Sequence, residues 1–116
     1  MTTAAVVAEG VVDGLAFRSL GEGLPVTVFA HGLAGSIAET RPLAAKVGGT
    51  RVLFDHRGHG ASAPLDDGWD YDLLARDLLT VADAVGASQA VGLSLGAGAL
   101  VRVAAQDPTR FTKLTF

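Results

Sequence analysis

The chain has 116 residues, a formal net charge of −3 and no cysteine. This length allows one domain with a substantial core, and the lack of cysteine excludes disulfides, thiolate metal sites and a cysteine nucleophile. The weak negative charge without a basic block argues against nucleic acid or a membrane surface as partner, and no apolar run reaches the roughly 18 residues of a membrane span. The amino terminus lacks the basic start of a secretory signal, which favours a cytoplasmic protein.

The first part of the chain predicts a hairpin followed by two buried strands. Strands are expected over residues 5–12 and Leu15–Leu20, joined by the two-residue hairpin signal Asp13-Gly14. After a loop rich in glycine, Val26–Ala30 is predicted as a buried strand, and residues 51–54 form the next one.

The helix between these two strands has two competing starts. Ser36 and Glu39 have the spacing of a capping box. Pro42 fits better in the first turn of a helix that begins near Thr40. In both cases residues 43–47 form the helix core.

The second part of the chain alternates helices and strands. Apolar residues recur at helical spacing over Tyr71–Val85, with Asp70 as a plausible N-cap and Gly86 as a plausible C-terminal stop. A strand at 89–91, a helix over Leu95–Gln106 and a strand at 112–116 follow. This order predicts an α/β fold: a mostly parallel sheet with helices on both faces, preceded by an N-terminal β-hairpin.

The segment Gly92-Leu93-Ser94-Leu95-Gly96 is a G-x-S-x-G sequence between a predicted strand and a predicted helix. In that context the pentapeptide indicates a nucleophile elbow, a strained turn that exposes the serine hydroxyl at a helix N-terminus. Glycine at Gly92 and Gly96 removes the Cβ atoms that would collide across such a turn.

Two further motifs follow strands of the same sheet, at the edge where open α/β sheets bind ligands. His31-Gly32-Leu33 closes the third strand, and residues 55–62, with the sequence DHRGHGAS, close the fourth. The three motifs together resemble the N-terminal half of an α/β-hydrolase of the small esterase, lactonase and thioesterase kind. The resemblance implies a truncated α/β-hydrolase core, in which residues 1–116 are the N-terminal part of the domain and the C-terminal half and cap are absent.

The resemblance also implies roles for individual residues. Ser94 would be the nucleophile, and the backbone N–H groups of Leu33 and Leu95 would form the oxyanion hole for a small acyl substrate. No cofactor and no metal are implied. The remaining motif residues would shape the loops: His31, Gly32, Asp55, Arg57, Gly92 and Gly96. Asp55 and Arg57 are expected to pair with each other, and a substrate contact by either is the less favoured interpretation.

The chain lacks two members of the expected triad. In this fold the order is serine, acid, histidine, but His31, His56 and His59 all precede Ser94, and Asp107 is the only acid that follows it.

The first hypothesis is therefore a serine hydrolase that cleaves a carboxylic ester, thioester or lactone through an acyl-enzyme, with this chain inactive alone. Carbon–carbon bond hydrolases, acyltransferases and perhydrolases share the constellation. The second is a non-catalytic module, or a half-domain that needs a partner chain. Self-association through the edge strand at 112–116 is expected.

Overall fold

The computed structural model describes residues 8–66 and 68–116, which form one six-stranded sheet with three helices. The elements are β1 (Ala8–Val12), β2 (Leu15–Leu20), β3 (Val26–Ala30), α1 (Ile37–Ala44), β4 (Thr50–Phe54), α2 (Tyr71–Val85), β5 (Gln89–Gly92), α3 (Leu95–Gln106) and β6 (Lys113–Thr115).

The strands lie in the order β1-β2-β4-β3-β5-β6. The hairpin β1–β2 joins β4 in antiparallel fashion, whereas β4, β3, β5 and β6 are parallel. The predicted fold class is confirmed; residues 5–7 of the predicted first strand lie outside the described residues.

The helices cover the two faces of the sheet unequally. Side chains alternate along each strand, so Val28 and Val52 lie in one buried cluster beneath α2 and α3, while Phe29 and Leu53 lie in a second cluster with Ala44 of α1. The larger cluster includes most of the buried apolar side chains. It holds the carboxyl ends of β3, β4 and β5 at fixed relative positions, and the three motifs follow these ends.

Helix α1 begins earlier than the proline suggested. Ser36 is its N-cap and accepts a hydrogen bond from the Ala38 N–H at 3.3 Å, while Pro42 lies inside the helix. The preferred start near Thr40 is therefore wrong. The reason is a long-range contact: a carboxylate oxygen of Asp55 accepts from the Ile37 N–H at 2.8 Å and fixes the first turn there.

Helix α2 has the predicted bounds and caps. Asp70 accepts from the Leu73 N–H at 2.8 Å, and Gly86 takes the left-handed conformation that ends the helix.

Beyond α3, β6 pairs with β5 and forms one edge of the sheet. Self-association through this edge stays a prediction. No helix in the described part of the chain is long and apolar enough to span a bilayer.

Candidate active site

Ser94 lies at the turn from β5 into α3, exposed at the carboxyl end of the sheet. Its backbone has φ 51° and ψ −107°, which is outside the conformations that a side-chain-bearing residue normally adopts. The strained turn expected from the glycine spacing is thus confirmed. A hydroxyl at this position lies at the N-terminus of α3, where the helix dipole favours a developing negative charge.

The two glycines of the pentapeptide are required by close backbone packing. A Cβ on Gly92 would lie 2.7 Å from the Ala97 nitrogen, across the turn. A Cβ on Gly96 would lie 2.7 Å from the Ala30 carbonyl carbon and closer still to its oxygen. These glycines therefore let α3 start directly against the end of β3, the strand that leads into the His31-Gly32-Leu33 loop.

That loop lies beside the serine. A Cβ on Gly32 would be 3.5 Å from the Ser94 Cβ and 3.7 Å from the Leu93 carbonyl oxygen. No described residue accepts a hydrogen bond from the N–H of Leu33 or of Leu95. Both N–H groups therefore lack an acceptor within the described residues, and their role as an oxyanion hole stays a prediction.

The three histidine rings lie close together and meet at steep angles, not as a parallel stack. The rings of His31 and His56 are 4.4 Å apart, and that of His59 lies 5.1 Å from His31. His31 Nε2 accepts from the His56 N–H at 2.9 Å, so its Nδ1–H donates to the Gly32 carbonyl at 2.6 Å. His56 Nε2–H donates to the His31 carbonyl at 2.8 Å, and His59 Nε2 accepts from the Ala34 N–H at 3.0 Å. The loop-shaping role expected for His31 therefore has a definite form: its ring joins the two loops.

Burial keeps the inner two rings uncharged. Desolvation, with the neighbouring His31 next in size, lowers the pKa of His56 to about 4, and desolvation also lowers the pKa of His31. Within the described residues, no group of three or more histidine, cysteine or acidic side chains is arranged to hold a metal ion.

Acid is expected to destabilise the chain through these rings. The folded-state pKa of His56 is below its ordinary value of 6.5, so protons bind the unfolded chain first, and stability is lost as the pH falls from about 6.5 towards 4. From His56 alone the loss between pH 7 and pH 5 should be about 2 kcal/mol. Urea unfolding at pH 7, 6 and 5 measures it, and an unfolding free energy that stays constant over this range would contradict the assignment.

Asp55 and Arg57 do not pair with each other, which corrects the expectation that they form a pair. The carboxylate of Asp55 accepts from the Ile37 N–H at 2.8 Å and from the Ala61 N–H at 3.0 Å, and thereby joins α1 to the loop after β4. Arg57 instead makes a two-fold contact with Asp77 of α2, with Nε–Oδ2 3.0 Å and Nη2–Oδ1 3.1 Å. Both residues shape the loop, but each through a partner distant in sequence.

Replacing Asp77 by asparagine should lower the free energy of unfolding by about 2–3 kcal/mol. The side chain of Asp77 is only 5 % exposed, and the change leaves the Arg57 guanidinium without its charged partner. Asp83→Asn is the matched control, since Asp83 pairs with Arg110 but its side chain is 70 % exposed. This variant should lose less than about 1 kcal/mol of unfolding free energy. Equal losses in the two variants would show that the buried pair has no special role.

Sequence reasoning missed two residues of this region. Asp77 lies among Leu74, Ala75 and Leu78 on the buried side of α2, and an acid within an apolar face was the available signal. Glu39 has capping-box spacing, yet its carboxylate bonds the Gly32 N–H at 2.6 Å. No local pattern indicates that second contact.

A serine on a strained strand-to-helix turn of a parallel sheet is the arrangement typical of the α/β-hydrolase fold. The sequence model described as alpha/beta hydrolase fold matches residues 25–116, and the chain belongs to this family. It is 40 % identical over 85 residues to a non-heme chloroperoxidase from Burkholderia pyrrocinia, covering 69 % of this chain and 31 % of that protein. It is 37 % identical over 99 residues to a non-heme chloroperoxidase from Kitasatospora aureofaciens, covering 80 % and 35 %.

Solved structures give the same fold. An esterase from Mycobacterium tuberculosis superposes with a TM-score of 0.82 at 26 % identity, covering 98 % of this chain and 42 % of that one. E-2-(acetamidomethylene)succinate hydrolase superposes with a TM-score of 0.77 at 25 % identity, covering 95 % and 43 %. The chain thus spans about a third of the length of the two chloroperoxidases and under half of the two hydrolases.

Proposed function

We propose that this chain supplies the nucleophile and the oxyanion hole of a serine hydrolase that cleaves a carboxylic ester, thioester or lactone. The observation that carries the proposal is the exposed Ser94 on its strained turn, with the Gly32 loop beside it and the Leu33 and Leu95 N–H groups unpaired. The esterase and hydrolase of similar structure support the same reaction class.

The chemistry follows from these positions. Ser94 Oγ attacks the carbonyl carbon, its proton passes to a base, and the carbonyl oxygen becomes an oxyanion that the Leu33 and Leu95 N–H groups bind. The carbon–oxygen or carbon–sulfur bond to the leaving group then breaks, and the base returns the proton to the alcohol or thiol. That group departs from an ester or thioester and stays attached to the acyl chain in a lactone. Water hydrolyses the Ser94 ester and releases the acid. The described histidines bond backbone groups, so the base of the full reaction lies elsewhere.

Labelling with a fluorophosphonate tests the proposal without requiring turnover. We expect slow formation of a single adduct, which intact-mass measurement and peptide mapping place on Ser94. Ser94→Ala should take no label, whereas the matched variant Ser88→Ala, which changes another serine of the same region, should label as the parent does. Label spread over several residues, or retained in Ser94→Ala, would refute the proposal.

The chloroperoxidase relatives favour a second candidate at the same serine. Hydrogen peroxide would replace water in the last step, and attack of its oxygen on the acyl carbon would release a peracid and regenerate Ser94. The discriminating measurement is the loss of a preformed Ser94 acetyl adduct in water and in peroxide. Acceleration by peroxide beyond that of a free acetylserine ester supports this candidate, and equal acceleration excludes it.

A further inference from the structure

The Glu39 carboxylate lies against the Gly32 loop, close to Ser94. Glu39 Oε1 accepts a 2.6 Å hydrogen bond from the Gly32 N–H. A Cβ on Gly32 would be 3.2 Å from this oxygen and 3.5 Å from the Ser94 Cβ. Glu39, in α1, and Ser94, which precedes α3, thus both lie close to the same glycine.

Helix capping does not account for this position. In a capping box the side chain of the third helical residue accepts a hydrogen bond from the N-cap N–H, but the Ser36 N–H donates no such bond to Glu39 in the described structure. The carboxylate instead lies over Gly35, where a Cβ would be 2.8 Å from Oε1. The Gly35 N–H to Gly32 carbonyl bond and the Ala34 contact to His59 already support the loop.

The charge of Glu39 is not neutralised locally. Among the described residues it takes part in no salt bridge, and Glu39 is exposed to solvent. A fixed negative charge near the oxyanion position opposes the charge that develops there, and a positive charge on the substrate offsets that effect.

We propose that Glu39 selects acyl groups by charge, favouring acyl chains that carry an ammonium group and disfavouring those that carry a carboxylate. The inference rests on the proposed function, because it requires Ser94 to be acylated. Since Glu39 is exposed to solvent, the effect on the acylation rate should be about three- to tenfold for each charge type and should shrink as salt is added.

The test measures the acylation rate of Ser94 by intact mass with three p-nitrophenyl esters of similar length: butanoate, 4-(trimethylammonio)butanoate and glutarate. Glu39→Gln keeps the size of the side chain and an oxygen that can accept from Gly32 N–H. It should lower the cationic-to-anionic rate ratio by about tenfold or more at low salt, and by less in 0.5 M NaCl. Glu22→Gln removes the same charge from the turn before β3, at the opposite end of the sheet, and should leave the ratio unchanged.

The outcomes separate the two proposals. Acylation confined to Ser94 with an unchanged ratio in Glu39→Gln would overturn the role of Glu39 alone. An equal change in Glu22→Gln would also overturn it, because the effect would then follow net charge. Acylation that persists in Ser94→Ala would refute the proposed function and the role of Glu39 with it. A uniform change for all three esters, insensitive to salt, would reduce Glu39 to a support of the loop.

Discussion

The 116-residue chain is expected to hydrolyse short activated esters at no more than a residual rate. A serine hydroxyl is a weak nucleophile at neutral pH without a base to take its proton. The ring nitrogens of His31 and His59 bond backbone groups, and the free nitrogen of His56, Nδ1, is buried. Without a base, an oxyanion hole and substrate binding alone leave about 10³–10⁴-fold acceleration over water.

Steady-state hydrolysis of p-nitrophenyl acetate by the purified chain measures this rate. Ser94→Ala provides the background, and a version extended to the length of the family's members provides the active comparison. Ser94-dependent turnover in the ordinary enzymatic range, about 1 s⁻¹ or above, would contradict the expectation. It would then identify His31, His56 or His59 as the base, and single replacements of each would show which one.

Gly96→Ala is expected to lower the free energy of unfolding by about 3 kcal/mol or to prevent folding. The added methyl carbon would overlap the carbonyl group of Ala30. Backbone on both sides cannot move without separating α3 from β3, and overpacking of this kind is among the larger single-residue effects. Urea unfolding measures the loss, and fluorophosphonate labelling of Ser94 should slow in the same variant because the turn is displaced.

Gly48→Ala is the matched control for that change. Nothing lies within 4 Å of a Cβ at Gly48, and its backbone is not in the left-handed region. Its unfolding free energy should stay within about 1 kcal/mol of the parent value. A Gly96→Ala protein as stable as the Gly48→Ala protein would show that the close approach of α3 to β3 is not needed.

Features with local signals were predictable from the sequence. The caps of α2 at Asp70 and Gly86, the bounds of α3 and the turn at Ser94 depend on neighbouring residues, and the structure has them where the sequence predicts them. The alternation of strands and helices likewise predicted a mostly parallel sheet, because a helix that connects two strands of one sheet normally leaves those strands parallel.

Features that depend on distant partners were not predictable in this way. The start of α1 is determined by Asp55, 18 positions along the chain from Ile37, and Arg57 pairs with Asp77, 20 positions away. The expected pair of Asp55 with its near neighbour Arg57 does not form, because each side chain instead bonds a more distant partner. The contact of Glu39 with Gly32 depends on the path of the loop, which no periodicity describes.

The reciprocal bonds between His31 and His56 have a consequence for anyone who alters the site. Each ring bonds the backbone of the other residue, so neither loop has a geometry independent of its neighbour. A library that randomises only one of the two loops would therefore consist mostly of proteins in which the altered loop no longer fits the unaltered one. Recombination with a homologous protein should therefore transfer residues 31–35 and 55–62 together, as one inherited unit, and substitutions in one segment should be matched by substitutions in the other.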